Sequence, residues 1–370
     1  MLTPIQARAA ATQGTDQLAC RFAFEGALAQ VLRDALHEDA THWKLSSAFR
    51  GYYFLRRWIP LGLRQWLQQR RNRSLPVDDD WYCPRRFLKR WQAAVDSLSN
   101  HPPQPIIHPW PDGCDHAVVL THDIESHVGL SRALELAEME ERFGLRSAWY
   151  VVPAKYDIDP GVLRELQRRG HEVGLHGYNH DGQLFRSPRE FGRRAKHINA
   201  FAQQWQAVGF RAPMMHRHLA WMQSLDIDYD SSCFDSDPYQ AMPGGVGGVW
   251  PFFAGRFVEL PLTLPQDHTL FVTLRQTSIA IWEQKHALLR KLRGMSMSLV
   301  HPDYLNSPAD WERYRRLLEH LSACPGGWQA LPREVAQWWR ERDASRVVGS
   351  AIEGPARGRG RIVSLQQLFE

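Results

Sequence analysis

From residue 117 to about residue 300, short apolar runs alternate with helix-like segments, and nearly every run ends at an ionisable side chain. This alternation constrains the chain more than any other feature. Strands separated by helices of ten or more residues pair in parallel, and a parallel sheet must be covered by helices. The run AVVLT (117–121) leads into Leu130, Ala133, Leu134 and Ala137 at helical spacing, then Gly144 and the strand-like SAWYVV. Asp159 and Pro160 provide an N-cap and a first-turn proline for VLRELQRR, and Gly170 stops that helix before HEVGLH. A helix over about 188–206 then precedes GFRAP, a short helix precedes IDYDSS, and a helix over about 282–292 precedes MSMSLVH. Six or seven such units predict an α/β fold with a closed or nearly closed barrel.

In a barrel of this kind the chemistry comes from the C-terminal ends of different strands. Those ends carry Asp123, Glu125, His176, His180, Arg211 and His301, an acid, histidine and arginine set that suits a metal-dependent hydrolase. The histidine pair alone says little, because 17 histidines in 370 residues yield roughly 0.8 pairs at a spacing of four by chance. If the HGYNH segment forms a helical turn, both side chains point the same way. Asp123 and Glu125 follow an apolar run with one residue between them, so they share a side of an extended strand end. Two carboxylates so placed can divide labour, one on a metal and one accepting a proton from water. Each residue also has a plain structural use: the acids as caps, Arg211 in a strand-end salt bridge, Asp230 with Ser231 and Ser232 in a turn, His301 bonded to backbone. His122 and His127, which flank the acids, are read as packing or loop residues.

Composition narrows the setting. The chain is 44% hydrophobic and 23% charged, enough for a sizeable core. A formal charge of +5 is too small and dispersed to argue for nucleic acid, and no DNA or RNA motif occurs. The cysteines at 20, 83, 114, 233 and 324 form no C-x-x-C, so spacing indicates neither a disulfide framework nor a thiolate zinc site. No uninterrupted apolar leader and no stretch of 18 apolar residues occurs, which points to the cytoplasm. Residues 1–111 read as a helical extension ending in the proline-rich HPPQPIIHPWPDG, 112–340 as the barrel, and 341–370 as a mobile Gly/Arg-rich tail with a last turn at SLQQLF. Residues 233–269, with PGGVGG and several prolines, read as a long loop with an irregular hairpin near the site mouth.

Five short runs now stand in order: THDIE (121–125), HGYNH (176–180), FRAP (210–213), YDSS (229–232) and LVHP (299–302). In this order they resemble the motifs of the polysaccharide deacetylases, carbohydrate esterase family 4, and within it the members associated with bacterial polysaccharide biosynthesis. The resemblance covers about residues 115–340 and implies a distorted (β/α)7 barrel with an N-terminal helical extension. It further implies hydrolysis of an acetamide on an amino sugar during assembly of a surface or exopolysaccharide. By similarity His176 and His180 are metal ligands, Asp123 the general base, Arg211 the residue that orients it, and His301 the general acid with Asp230 as its partner. The implied cofactor is a divalent metal, Zn²⁺ first, with Co²⁺, Ni²⁺ or Mn²⁺ as alternatives. The implied partner is an N-acetylated saccharide, on a lipid carrier if the enzyme works at the inner membrane face.

One position departs from the family's pattern. Where the family has a metal-binding carboxylate directly after the base, this chain has Ile124, and Glu125 stands where a glycine would be. The preferred resolution makes Glu125 the third ligand; the competing one exchanges the roles of Asp123 and Glu125 or removes the metal. The same departure motivates a second class, an inactive saccharide- or partner-binding module, and a third keeps hydrolysis but moves it to a non-sugar amide or O-acyl ester. Segment 49–73 contains seven arginines and no acid, interleaved with Tyr52, Tyr53, Phe54, Trp58 and Trp66 and divided at Pro60. It reads as a peripheral membrane contact or as an edge that packs on the barrel or on a second subunit.

Overall fold

The computed structural model describes residues 18–40, 75, 77–99, 101–240 and 245–369, with scattered positions between 47 and 72. Most of segment 49–73 lies outside the described residues.

Among the described residues, the short strand Gly327–Gln329 pairs in parallel at the side of a continuous path of seven parallel strands. Their spatial order is β10 (Met295–Val300), β3 (His116–Ile124), β4 (Ser147–Val151), β5 (Glu172–His176), β6 (Gly209–Arg211), β7 (Tyr229–Asp230) and β9 (Phe257–Glu259). This is the (β/α)7 arrangement that the resemblance implies, within the six or seven units expected from the alternation. The curled sheet does not close by a regular ladder. Between β9 and β10 the chain bridges instead, with the Leu264 amide donating to Met297 O at 3.0 Å and the Thr263 hydroxyl to Met295 O at 2.7 Å. The strand side chains are buried along their length, as parallel strands covered by helices must be.

The helices start and stop where local chemistry dictates. Helix α3 (His127–Arg142) is capped by Ser126, whose hydroxyl accepts from Val128 N, and Gly144 beyond its end has φ +71°. Helix α4 (Pro160–Arg168) has the Asp159 cap and Pro160 at its first turn, and α5 (Pro188–Trp205) is capped by Ser187. Helix α6 (Leu219–Met222) is a single turn, while α7 (Ala280–Lys291), α8 (Pro308–Ala323) and α9 (Pro332–Asp343) complete the outer layer.

The extension and the tail differ from expectation. Helices α1 (Gly26–Ala40) and α2 (Arg85–Leu98) share one buried core with the barrel, and β1 (Cys20–Arg21) adds an edge strand through β8 (Phe252–Ala254). Phe24, Trp91, Trp250 and Phe369 meet with ring centroids 4.5–6.1 Å apart, so the extension and the tail both pack on the 233–269 segment. The expected mobile tail is instead built in. Strand β14 (Ile362–Ser364) pairs with β2 (Pro105–Ile107) inside the proline-rich segment, β12 (Arg346–Val348) pairs with β13 (Ala351–Glu353), and Leu365 and Leu368 are buried. The tail's arginines make specific pairs: Arg359 binds Asp112 at 2.8 Å and Arg361 binds Asp115 at 2.6 Å. Within the proline-rich segment Trp110 is fully buried and donates to Arg293 O at 2.7 Å. The irregular hairpin does occur, as β8 against β9, but its second strand is a barrel strand rather than part of a loop.

Candidate active site

All six expected strand-end residues lie at one end of the barrel. Asp123 is the penultimate residue of β3 and Glu125 follows its end. The strand alternates, so Ile124 points into the core with no exposed surface while Asp123 and Glu125 turn toward the histidines. The loop holding Glu125 is fixed from β10's side: Asp303 accepts from the Glu125 amide at 3.0 Å and from the Ser126 hydroxyl. His122 is a packing residue as expected, bonded to Glu140 and stacked on Trp149 at 4.1 Å, and His127 is exposed on α3.

His176 ends β5. Its Nδ1 lies 3.1 Å from Arg211 O, and a carbonyl only accepts, so Nδ1 carries the proton and Nε2 presents a lone pair. The HGYNH segment is a loop rather than a helical turn. Gly177 has φ +65°, and a Cβ there would lie 2.5 Å from Pro213 Cδ, so only glycine admits this approach. His180 is itself left-handed at φ 56°, a local strain of about 1–2 kcal/mol that places its ring 5.3 Å from that of His176.

Glu125 Oε1 stands 2.9 Å from His180 Nε2 and 3.8 Å from His176 Nε2. Ligand atoms of these three residues lie within 4.8 Å of one another, and neither Nε2 makes a hydrogen bond. Two unbonded imidazole nitrogens converging with a carboxylate oxygen form a donor set that fits a divalent ion of the Zn²⁺ type.

Asp123 is held beside that set. Its Oδ1 accepts from Arg211 Nη1 at 3.0 Å, and its Oδ2 lies 3.6 Å from His176 Nε2 and 4.0 Å from His301 Nε2. Burial alone would raise the Asp123 carboxyl, but His176, Arg211 and His301 outweigh it and hold the group below its ordinary value. Arg211 is itself fully buried, donating to Thr121 Oγ1 at 2.9 Å, Ser231 O at 3.0 Å and Ser231 Oγ at 2.9 Å, with Tyr150 beneath its guanidinium at 4.4 Å.

His301 follows β10, and here the expected pairing changes. Its partner is Asp267, whose carboxylate takes Nδ1 at 2.6 Å and the backbone amide at 2.7 Å. Burial would lower the imidazole's basicity; Asp267, with Asp123 and Glu125 behind it, raises it to about 10. Asp230 does something else. It accepts from Ser232 N at 3.1 Å and Ser232 Oγ at 2.7 Å, and it stands opposite Glu259 across the β7–β9 ladder. Burial there raises both carboxyls, Glu259 the more. The YDSS run thus shapes the turn that holds Arg211: Ser231 takes the guanidinium, and Ser232 Oγ accepts from Ala212 N at 2.8 Å. Asp267 lies in the irregular segment, where no periodicity marks it, and Asp303 is likewise invisible to motif spacing.

Residues 111–217 match the family model described as Polysaccharide deacetylase. Over this stretch the chain is similar to the polysaccharide deacetylase family. Its members are hydrolases acting on amide C–N bonds and are generally dependent on divalent metals, and the match implies an N-acetylated saccharide substrate. Among solved structures the fold is similar to a protein of Mycobacterium smegmatis assigned to the polysaccharide deacetylases, at 20% identity over 65% of this chain and 96% of that one, with a TM-score of 0.51. Puue allantoinase is similar at 14% identity, over 66% of this chain and 96% of that chain, with a TM-score of 0.46. Peptidoglycan deacetylase PdaC from Bacillus subtilis is similar at 12% identity, over 62% and 94%, with a TM-score of 0.41. No curated protein matches the sequence.

Proposed function

We propose that this polysaccharide deacetylase relative is a metal-dependent hydrolase that removes N-acetyl groups from amino sugars of a poly- or oligosaccharide during surface polysaccharide biosynthesis. The observation that carries the reading is the convergence of Glu125, His176 and His180 beside an acid held by Arg211 and an imidazole held by Asp267. An amide is a poor electrophile with a poor leaving group, so its hydrolysis needs both activated water and a proton for the departing amine. A divalent ion bound by Glu125, His176 and His180 would supply carbonyl polarisation and acidify water at the site. Asp123 takes the proton from the attacking water, and Arg211 fixes the orientation in which it does so. His301 delivers a proton to the amine nitrogen, and Asp267 fixes its tautomer and keeps it charged until then.

The decisive experiment is acetate release from N-acetylated oligosaccharides by the full chain. Release should cease with a chelator and return with Zn²⁺, Co²⁺, Ni²⁺ or Mn²⁺. A reading as an inactive saccharide-binding module draws its support from Ile124 at the position where a metal-binding carboxylate is expected. No acetate release in any metal, with saccharide binding retained, would establish that alternative.

Asp267→Asn should lower kcat by about 10²-fold, within the ordinary contribution of a general acid. Loss of the carboxylate removes what raises His301, so the imidazole deprotonates at lower pH and the basic limb of the kcat profile moves down. Asp230→Asn should leave that limb in place, because Asp230 does not contact His301; an equal shift in both variants would contradict the assignment.

The substrate's carrier is inferred from segment 49–73. Its seven arginines lack any acid, and Leu55, Trp58, Leu63, Trp66 and Leu67 are each at least 40% exposed. Cationic and apolar side chains in one segment suit an anionic bilayer surface, where a lipid-linked saccharide would be presented. Among the described residues no helix is long and apolar enough to cross a membrane. The chain should float with anionic liposomes at low salt and release at high salt, whereas failure to float would remove the lipid-surface part of the reading.

A further inference from the structure

A second set of metal-type donors lies at the opposite end of the barrel. His286 on α7, His320 in the last turn of α8, and Cys324 directly after α8 place ligand atoms within 4.8 Å of one another. His286 is 1% exposed, yet neither of its ring nitrogens has a hydrogen-bond partner, and His320 Nε2 also has none. A buried polar atom left unsatisfied costs about 1–3 kcal/mol, so two converging histidines in this condition require an explanation. His116, at the first residue of β3, is 2% exposed with an unbonded Nε2, and its ring stands 5.5 Å from that of His286. Seven residues along β3 separate it from Asp123, roughly 23 Å at strand rise, so this cluster and the candidate active site cannot share an ion.

We propose that His286, His320 and Cys324 form a structural Zn²⁺ site, with His116 as the available fourth donor. Two imidazoles and a thiolate are the ligand types that select Zn²⁺ over Mg²⁺, Ca²⁺ or Mn²⁺. The spacing of four between His320 and Cys324 puts both on one side of the α8 terminus, where the helix dipole also favours a cation. Arg290 Nη1 lies 3.8 Å from Cys324 Sγ, an N–H donor of the sort that supports a metal-bound sulfur from outside the ligand shell. His320 and Cys324 are only partly buried, which leaves the ion a route in. The ion would tie α7 to the end of α8 and so fix the segment leading into β11 (Gly327–Gln329), which pairs with the first residues of β3. No C-x-x-C announces the site because its ligands come from two helices and a helix end.

The test is Co²⁺ titration of the metal-free, reduced full chain, read by absorbance. The active-site donors contain no sulfur, so a thiolate-to-cobalt charge-transfer band reports this site alone. The band should appear in the wild type, disappear on addition of Zn²⁺, and persist in His176→Ala. It should be absent from Cys324→Ser, with one fewer equivalent of metal bound, and affinity should fall by about 100-fold or more in His286→Gln and in His320→Gln. Because His286 is buried, the partly exposed His320 provides the variant that tolerates substitution if His286→Gln does not fold. Absence of the band in the wild type, its survival in Cys324→Ser, or undiminished affinity in His320→Gln would overturn the site.

Discussion

Asp123→Asn will lower kcat by about 10³-fold while leaving metal bound at the active site. Asparagine keeps the shape of the side chain and an oxygen for Arg211 Nη1, which now bonds Asp123 Oδ1 at 3.0 Å. It cannot accept a proton from water. The loss should fall on kcat with little change in KM, because no substrate contact is removed, and Arg211 should remain in place because Thr121 and Ser231 also hold it. Metal content by elemental analysis and kcat from acetate release together check the prediction. Loss of metal in this variant would instead make Asp123 a ligand.

Glu125→Ala is the complementary case. It removes one of the three donors that converge within 4.8 Å, and metal affinity at the active site should fall by at least about 100-fold, with activity lost at ordinary metal concentrations. High metal should restore part of the activity, since His176, His180, Asp123 and His301 are untouched. Full metal stoichiometry in Glu125→Ala combined with loss of kcat would exchange the two roles, giving the proton transfer to Glu125. The two variants are informative as a pair because the acids sit on one face of a strand end and differ in reach: Glu125 Oε1 approaches both histidines, whereas Asp123 is engaged by Arg211.

Much of this arrangement follows from local rules that a sequence displays. Period-two alternation at Asp123-Ile124-Glu125 put both acids on the side facing the histidines and buried Ile124, because neighbouring side chains on a strand point to opposite faces. Caps at Ser126, Asp159 and Ser187 and positive-φ glycines at 144 and 170 set where helices begin and end. Other features depended on partners distant in the chain. Asp230 has the spacing of a motif residue, yet the histidine's acid is Asp267, thirty-four residues before His301 in an irregular segment. The approach of His176 and His180 came from Gly177 and a left-handed backbone rather than from a helical turn. The Gly/Arg-rich tail looked like a solvated appendage, but its arginines find Asp112 and Asp115 and its strand finds β2.

The sequence by itself determined the parallel α/β barrel and the set of ionisable residues brought to one end of it, because alternation of strand and helix periods is written in neighbouring residues. Only the tertiary structure decided which carboxylate lies against which histidine, how the tail closes on the proline-rich segment, and that His286, His320 and Cys324 meet. Those pairings are set by packing between segments up to hundreds of residues apart, and no local pattern records a distance across the core.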